Sequence, residues 1–350
     1  MLFAEARTAR ALGEACESVA WASARSARAM RPQRYNRLHA TGIHGQRGAR
    51  DDSRRFFRHG ARYCVKRSSL LVVFLGGLLP LIALAQRAPE TLAKIKAAKS
   101  ITVAFSADSL PFSYIEKNNQ PDGYSIDLCK RVITGIGRAV GVPELAINWV
   151  AETVPNRVAM VANGKADLEC ANTTQSLARM KDVDFSALIF VDGGGFLVRA
   201  DSPVNGFGDL AGKSIAVTSG TTTEKRVGAM LNDRLVNAKV VPVKDGVEGM
   251  ALLESGAVAA LASDKIKLVG LAAQAKDPKL FALLAEDLSF EPYAFMLPRN
   301  DSAFRLEVNR ALTQVYLSGE IDRIFAKWLG PLGRPSGLLA AMFLLSAVPE

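Results

Sequence analysis

Histidine is scarcest where it would matter most. The 350 residues contain three, His39, His44 and His59, all near the amino terminus, and none follows Gln86. That stretch therefore lacks the commonest general base and the commonest metal ligand. Cysteine is also rare: Cys16 and Cys64 lie near the start, and only Cys129 and Cys170 lie beyond it. No CxxC pair, HExxH helix, GxSxG elbow or phosphate-binding glycine loop occurs, so hydrolytic, redox and zinc chemistry lose their usual sequence marks. No cofactor and no metal are expected. Basic charge is missing from most of the chain as well. Residues 1–67 hold fifteen Lys or Arg against five Asp or Glu, whereas residues 68–350 hold twenty-nine of each sign. The net charge of +10 is thus confined to the beginning. The remainder carries no basic field for phosphates, and no nucleic-acid partner is expected.

What is present begins with a leader. Residues 1–57 are rich in Ala, Arg and Ser without apolar periodicity, and read as a basic arm or as sequence upstream of the true translation start. Residues 58–85 have the parts of a signal peptide. Arg62, Lys66 and Arg67 form the positive flank, Leu70 to Leu84 an apolar run, and Ala83-Leu84-Ala85 a small-x-small site with cleavage after Ala85. The run is about fifteen residues, short of the roughly twenty that span a bilayer, so cleavage and export to the periplasm are expected over anchoring.

From Gln86 onward, short apolar runs alternate with helical patterns. Strands are predicted at Ile101 to Phe105, Ile147 to Val150 and Ala166 to Cys170, with helices at Tyr124 to Ala139 and Asn156 to Asn163 between them. The rhythm then repeats. Strands at Ser214 to Thr218, Ala238 to Val243 and Val258 to Ser263 are separated by helices at Thr222 to Leu231 and Val247 to Ser255. A β-α-β order implies parallel strands with right-handed crossovers, so the pattern predicts an α/β protein with two lobes of similar build. Two extended apolar segments, 186–198 and 290–297, fall where one lobe hands over to the other. Gly193-Gly194-Gly195 reads there as either a hinge or a plain loop. The expected layout is 86–194 for the first part of lobe one, 195–290 for lobe two, and 291–350 for the return to lobe one. That return includes helices at Phe304 to Leu317 and Ile321 to Leu329, and a terminal helix within Leu338 to Val348 packed on the core. The two remaining cysteines either pair or sit as buried thiols, which spacing alone does not decide.

Candidate binding groups collect where predicted strands end. Asn172-Thr173-Thr174 follows one strand, and Ser219 to Glu224 follows another, with Thr221 and Glu224 at capping-box spacing. Helix N-termini at the carboxyl ends of parallel strands favour anionic groups such as a carboxylate. A zwitterion would also need a guanidinium for its carboxylate and an acid for its ammonium. Arg179, read as lying inside a helix opened by Thr174, and Asp264, at a strand end in the second lobe, are placed to serve.

These stretches resemble a known family. Leu110-Pro-Phe-Ser-Tyr114, Pro121 to Leu128, Asn156-Arg157, Asn163 to Cys170, Asn172 to Arg179, Val183 to Ser186, Asp209 to Thr222 and Leu253 to Gly256 with Asp264 follow, in order, the extracellular solute-binding proteins of family 3. Within that family they are most similar to glutamate/aspartate-binding proteins. The resemblance implies a two-lobed periplasmic-binding-protein type II fold, a free amino acid held in the cleft, and delivery by a monomer to an ABC-transporter permease. It implies that Arg179 holds the α-carboxylate and Asp264 the α-ammonium. Asn172, Thr174 and Thr222 would donate hydrogen bonds, and Arg157 would face the ligand side chain. This chain departs from the subgroup at Ser106, where a second Arg is common, at Val154, where a Ser is expected, and at Gly246, where a His is expected. Arg157 is then the one basic residue expected at the side chain. Glutamate or aspartate leads, with glutamine, asparagine or another polar amino acid as the alternative. A dehydratase on the same fold would need a proton donor and acceptor at the cleft, and no carboxylate beyond Asp264 is expected there. A sensory module would be expected to continue into a membrane or signalling segment.

Overall fold

A computed structural model describes residues 91–349. The leader at 1–57 and the signal peptide at 58–85 lie outside the described residues. The first lobe opens with α1 (Thr91–Ala98), β1 (Ser100–Ser106), the short strands β2 (Asp108–Ser109), β3 (Ser113–Ile115) and β4 (Pro121–Asp122), and α2 (Tyr124–Val140). It continues through β5 (Ala146–Glu152), α3 (Arg157–Ala162) and β6 (Leu168–Glu169) into the long β7 (Val183–Arg199). The second lobe holds β8 (Ser214–Thr218), α4 (Thr222–Asp233), β9 (Lys239–Val243), α5 (Gly246–Glu254), β10 (Ala260–Asp264), α6 (Lys265–Gln274) and β11 (Phe281–Leu283). The chain returns along β12 (Ser289–Pro298) and ends in α7 (Ser302–Leu317), α8 (Glu320–Leu329) and α9 (Gly337–Ser346).

One mixed sheet runs through both lobes in the order β5-β1-β6-β12-β7-β10-β8-β9. β1 pairs in parallel with β5 and β6, and β8 pairs in parallel with β9 and β10. The antiparallel pair β7 and β12 joins the two parallel groups. Alternation along the second-lobe strands sorts its core onto two faces, as the period of two requires. Phe196, Val198, Ile215 and Val217 pack on one side, and Leu197, Ala216 and Leu261 on the other. In the first lobe, Leu128, Val132, Ile136 and Val140 of α2 recur at helical spacing and pack with Phe304 and Val308 of α7. The terminal α9 buries Leu339, Met342 and Phe343 on that core, and Phe343 lies against Tyr316.

Two expectations need correction. Gly193-Gly194-Gly195 forms no loop. It lies inside β7, with Gly194 opposite both Ser289 and Asp264. A Cβ at Gly194 would come within 2.3 Å of Ser289 Oγ, and one at Gly195 within 2.9 Å of Lys265. The glycines therefore admit close neighbours in a strand paired on both edges. Asn172-Thr173-Thr174 opens no α-helix either. Thr174 makes a bridge to Tyr293, Gln175 N donates to the Pro292 carbonyl, and Ala294 N donates to the Thr173 carbonyl. Cross-strand bonds to β12 hold the segment extended, and a single 3-10 turn, Arg179–Lys181, follows. Cys129 and Cys170 form a disulfide with Cα atoms 6.0 Å apart, which ties the start of this segment to α2.

Candidate functional site

The carboxyl ends of four parallel strands meet at one cleft. Ser106 ends β1, Glu152 ends β5, Thr218 ends β8 and Asp264 ends β10, and all four line it. This is the position at which open α/β sheets present ligand-binding groups. Arg157, Asn172, Thr174, Thr222 and Asp264 line the same cleft, so the structure brings these expected residues together from both lobes. Arg179 is placed differently. It does not line the cleft but donates from Nη1 to the Thr174 carbonyl at 2.6 Å, behind the turn that carries Thr174. Burial, with Arg157 nearby, lowers its pKa to about 10, so it stays charged at neutral pH. Thr221 caps α4 as its spacing predicts: its side chain accepts the Glu224 N–H, and Gly220 N donates to Glu224 Oε2. The first turn of α4 therefore presents Thr222 into the cleft.

Glu291, on β12, is the residue the sequence reading missed at the centre. Its Oε2 accepts from Thr174 Oγ1 at 2.6 Å and from Thr222 Oγ1 at 2.8 Å, and its Oε1 accepts from Ser289 Oγ at 2.5 Å. One buried carboxylate thus joins a hydroxyl of each lobe. A lone Glu inside the apolar run 290–297 was the available signal, since a fully buried acid needs partners.

Asp264 accepts from Tyr293 Oη at 2.6 Å and from Thr223 Oγ1 at 3.2 Å. Burial, together with the charge of Glu291, pushes its pKa up to about 6. Asp192 lies beside it, taking N–H bonds from Gly193 and Ile266, and burial with Asp264 alongside raises it to about 8. Asp264, which lines the cleft, is therefore the acid placed to meet a cation such as an α-ammonium. The sign of the pH effect follows. The folded pKa of Asp264 lies above the unfolded value, so its contribution to stability is full below about pH 4 and is lost as pH rises through about 6. An ammonium needs the ionised form. Ligand affinity should therefore fall about tenfold per unit below about pH 6 and level off above it. Calorimetry across that window checks this, and a flat profile would remove Asp264 from the ammonium site.

Arg157 is buried beside two further acids. The Glu152 carboxyl is pushed well above its usual range by burial and by Glu169, and Glu169 is raised by burial against the pull of Arg157. The two carboxyl groups lie within electrostatic reach of each other, with the Arg157 charge acting on both. Glu169 also accepts from Thr173 Oγ1 at 2.8 Å. Arg157 is thus the internal counter-ion of this pair as well as a residue of the cleft wall. The expectation of no cleft carboxylate beyond Asp264 was wrong, because Glu152 and Asp108 both line it. Glu152 lies two residues past the strand predicted at Ile147 to Val150, and strand-end position in a parallel sheet was the signal. Arg157 is also not the sole cation, since Lys267 lines the cleft from α6.

The comparisons with known proteins agree with this geometry. Residues 101–331 match the family model described as bacterial extracellular solute-binding proteins, family 3. The chain is 35% identical over 272 residues to the L-glutamate/L-aspartate-binding protein of Pseudomonas aeruginosa, covering 77% of this chain and 90% of that one. It is 33% identical over 244 residues to the glutamate/aspartate import solute-binding protein of Salmonella typhimurium, covering 70% and 81%. Among solved structures, an ancestral arginine-binding protein bound to arginine superposes with a TM-score of 0.60 at 26% identity, covering 66% of this chain and 99% of that one. An ancestral amino acid-binding protein, a precursor of cyclohexadienyl dehydratase, gives 0.58 at 26%, covering 68% and 99%. The fold is the two-lobed type II periplasmic-binding-protein fold, and the chain belongs to the bacterial extracellular solute-binding proteins, family 3.

Proposed function

We propose that the protein captures glutamate or aspartate in the periplasm and delivers it, as a monomer, to the permease of an ABC importer. The observation that carries this reading is the convergence of Thr174 from one lobe and Thr222 and Asp264 from the other on one buried cleft. Residues 86–194 with 291–350 form one lobe of this reading and 195–290 the other. Arg179 takes the α-carboxylate, and Asn172, Thr174 and Thr222 supply hydrogen bonds. Asp264 takes the α-ammonium, with the charge of Glu291 adding negative potential beside it. The relatives' names support the acidic preference. Calorimetry of the exported form with glutamate, aspartate, glutamine and asparagine tests the reading: micromolar or tighter binding of the acids is expected. Binding of the amides alone would replace it with the neutral-ligand alternative.

Glu152 favours a second reading, an enzyme of the dehydratase type. A buried carboxyl at the cleft whose pKa is raised is suited to donate a proton, and one structural relative is a dehydratase precursor. Binding an acidic amino acid without turning over a cyclohexadienyl acid would dismiss it.

A further inference from the structure

The wall of the cleft formed by Ser106, Asp108 and Ser109 belongs to the first lobe, yet its cation comes from the second. Lys267 lies on α6, three residues past Asp264, and is 7% exposed. Its route depends on Gly246: a Cβ there would come within 3.1 Å of Lys267 Cε, so the lysine stem occupies the space a side chain at 246 would take. The ammonium emerges beyond, with Ser109 Oγ at 3.2 Å and Asp108 Oδ2 at 3.4 Å. Both contacts are long for an ammonium, whose charge-assisted bonds are usually about 2.7–2.9 Å. An ammonium has three donors, and these two contacts are its hydrogen bonds among the described residues. Asp108 depends on Lys267 only in part, because it also accepts from Ser106 Oγ at 2.9 Å and from the Gly246 N–H. Arg157 also lines the cleft, where its charge acts on Glu152 and Glu169 while its buried Nε has no hydrogen-bond partner. Lys267 differs in lying at the Ser106, Asp108 and Ser109 corner with a third N–H donor unused among the described residues.

We propose that Lys267 is the specificity-determining residue for the ligand side chain. Its ammonium pairs with the side-chain carboxylate of an acidic amino acid and loosens from Asp108 as it does so, while the Ser106 and Ser109 hydroxyls donate at the same corner. The inference rests on the acidic reading of the cleft. It adds a consequence. The side-chain cation rides on the second lobe, so recognition of the carboxylate is completed only when the lobes close. An acidic ligand then favours the closed state through a contact that an amide ligand lacks.

The test titrates wild type, Lys267→Met, Lys267→Arg and Asp108→Asn with glutamate, aspartate, glutamine and asparagine, with folding checked by thermal unfolding. Lys267→Met should weaken the two acids by roughly 100-fold and the two amides by less than about 5-fold. Lys267→Arg should retain the preference for acids. Asp108→Asn, which releases the ammonium, should tighten the acids several-fold. If Lys267→Met and Asp108→Asn both weaken all four ligands equally, the pair is a latch between lobes and the inference is wrong, while the proposed function stands. If wild type takes no acidic amino acid, the acidic reading of the cleft fails and this inference fails with it.

Discussion

Replacing Arg179 with alanine is expected to lower amino-acid affinity by about 2–5 kcal/mol, roughly 30-fold to several thousand-fold, with little change in the fold. The side chain is half-buried, and its Nη1 is anchored on the Thr174 carbonyl at 2.6 Å. That anchor leaves four N–H donors of the planar fork, enough for two parallel bonds to a carboxylate. The same anchor couples the arginine to the turn that presents the Thr174 hydroxyl to Glu291. Alanine would therefore remove both the proposed partner of the α-carboxylate and a brace behind one wall of the cleft. Arg179→Lys separates the two effects: it keeps the charge but loses the fork, so it should fall between wild type and alanine. Calorimetry with the preferred amino acid reads the loss. Affinity unchanged in Arg179→Ala would mean that the α-carboxylate is held elsewhere, with the α4 N-terminus at Thr222 as the next place to test.

Replacing Arg157 with methionine is expected to destabilise the folded protein by about 3–5 kcal/mol, because it strips the counter-ion from a buried carboxyl pair. Arg157 is 8% exposed, and Glu169 is fully buried. With the guanidinium gone, the charge on Glu169 has hydrogen bonds but no opposite charge directly beside it. The loss should depend on pH with a definite sign. Both Glu152 and Glu169 already titrate above the ordinary range, so protonation favours the folded state at low pH. Without Arg157 they would rise further, and the deficit should deepen as pH increases through their folded pKa values. Adding Glu169→Gln to the variant removes the unpaired charge and should recover much of the stability. Thermal unfolding at two pH values reads both effects. A midpoint that does not move in Arg157→Met would mean that the two carboxyl groups do not depend on its charge. Arg157 would then be free to meet the ligand, as the sequence reading expected.

The strand–helix rhythm was legible because its signals are local. Apolar runs of strand length, the Thr221–Glu224 cap and the glycines closing helices act over a few residues, and most elements appear within a residue or two of their expected ends. The Asn172 to Thr174 segment shows the limit. Its composition suits a helix start, but β12, more than a hundred residues away in sequence, offers backbone partners that hold it extended. Local propensity lost to pairing at long range. The loop alternative at the glycine run failed for a related reason: loops and close approach select the same residue, and only the strand pairing and the neighbours Ser289 and Lys265 distinguish them.

By itself the sequence determined the two-lobed α/β plan, the family, and the strand-end positions of Asn172, Thr174, Thr222 and Asp264. These follow from periodicity and from ordered motifs that need no partner to be read. Only the tertiary structure decided the charge balance of the cleft. The charge of Arg157 acts on Glu152 and Glu169, Arg179 stands behind Thr174, Glu291 joins the lobes, and Lys267 crosses from α6 to Asp108. The physical reason is that a charge acts through its distance to other charges in a poorly hydrated space, and β5, β6, α6 and β12 bring these residues together from distant parts of the chain. A sequence lists the ionisable groups, but their pairing depends on separations of a few ångströms that only folding sets.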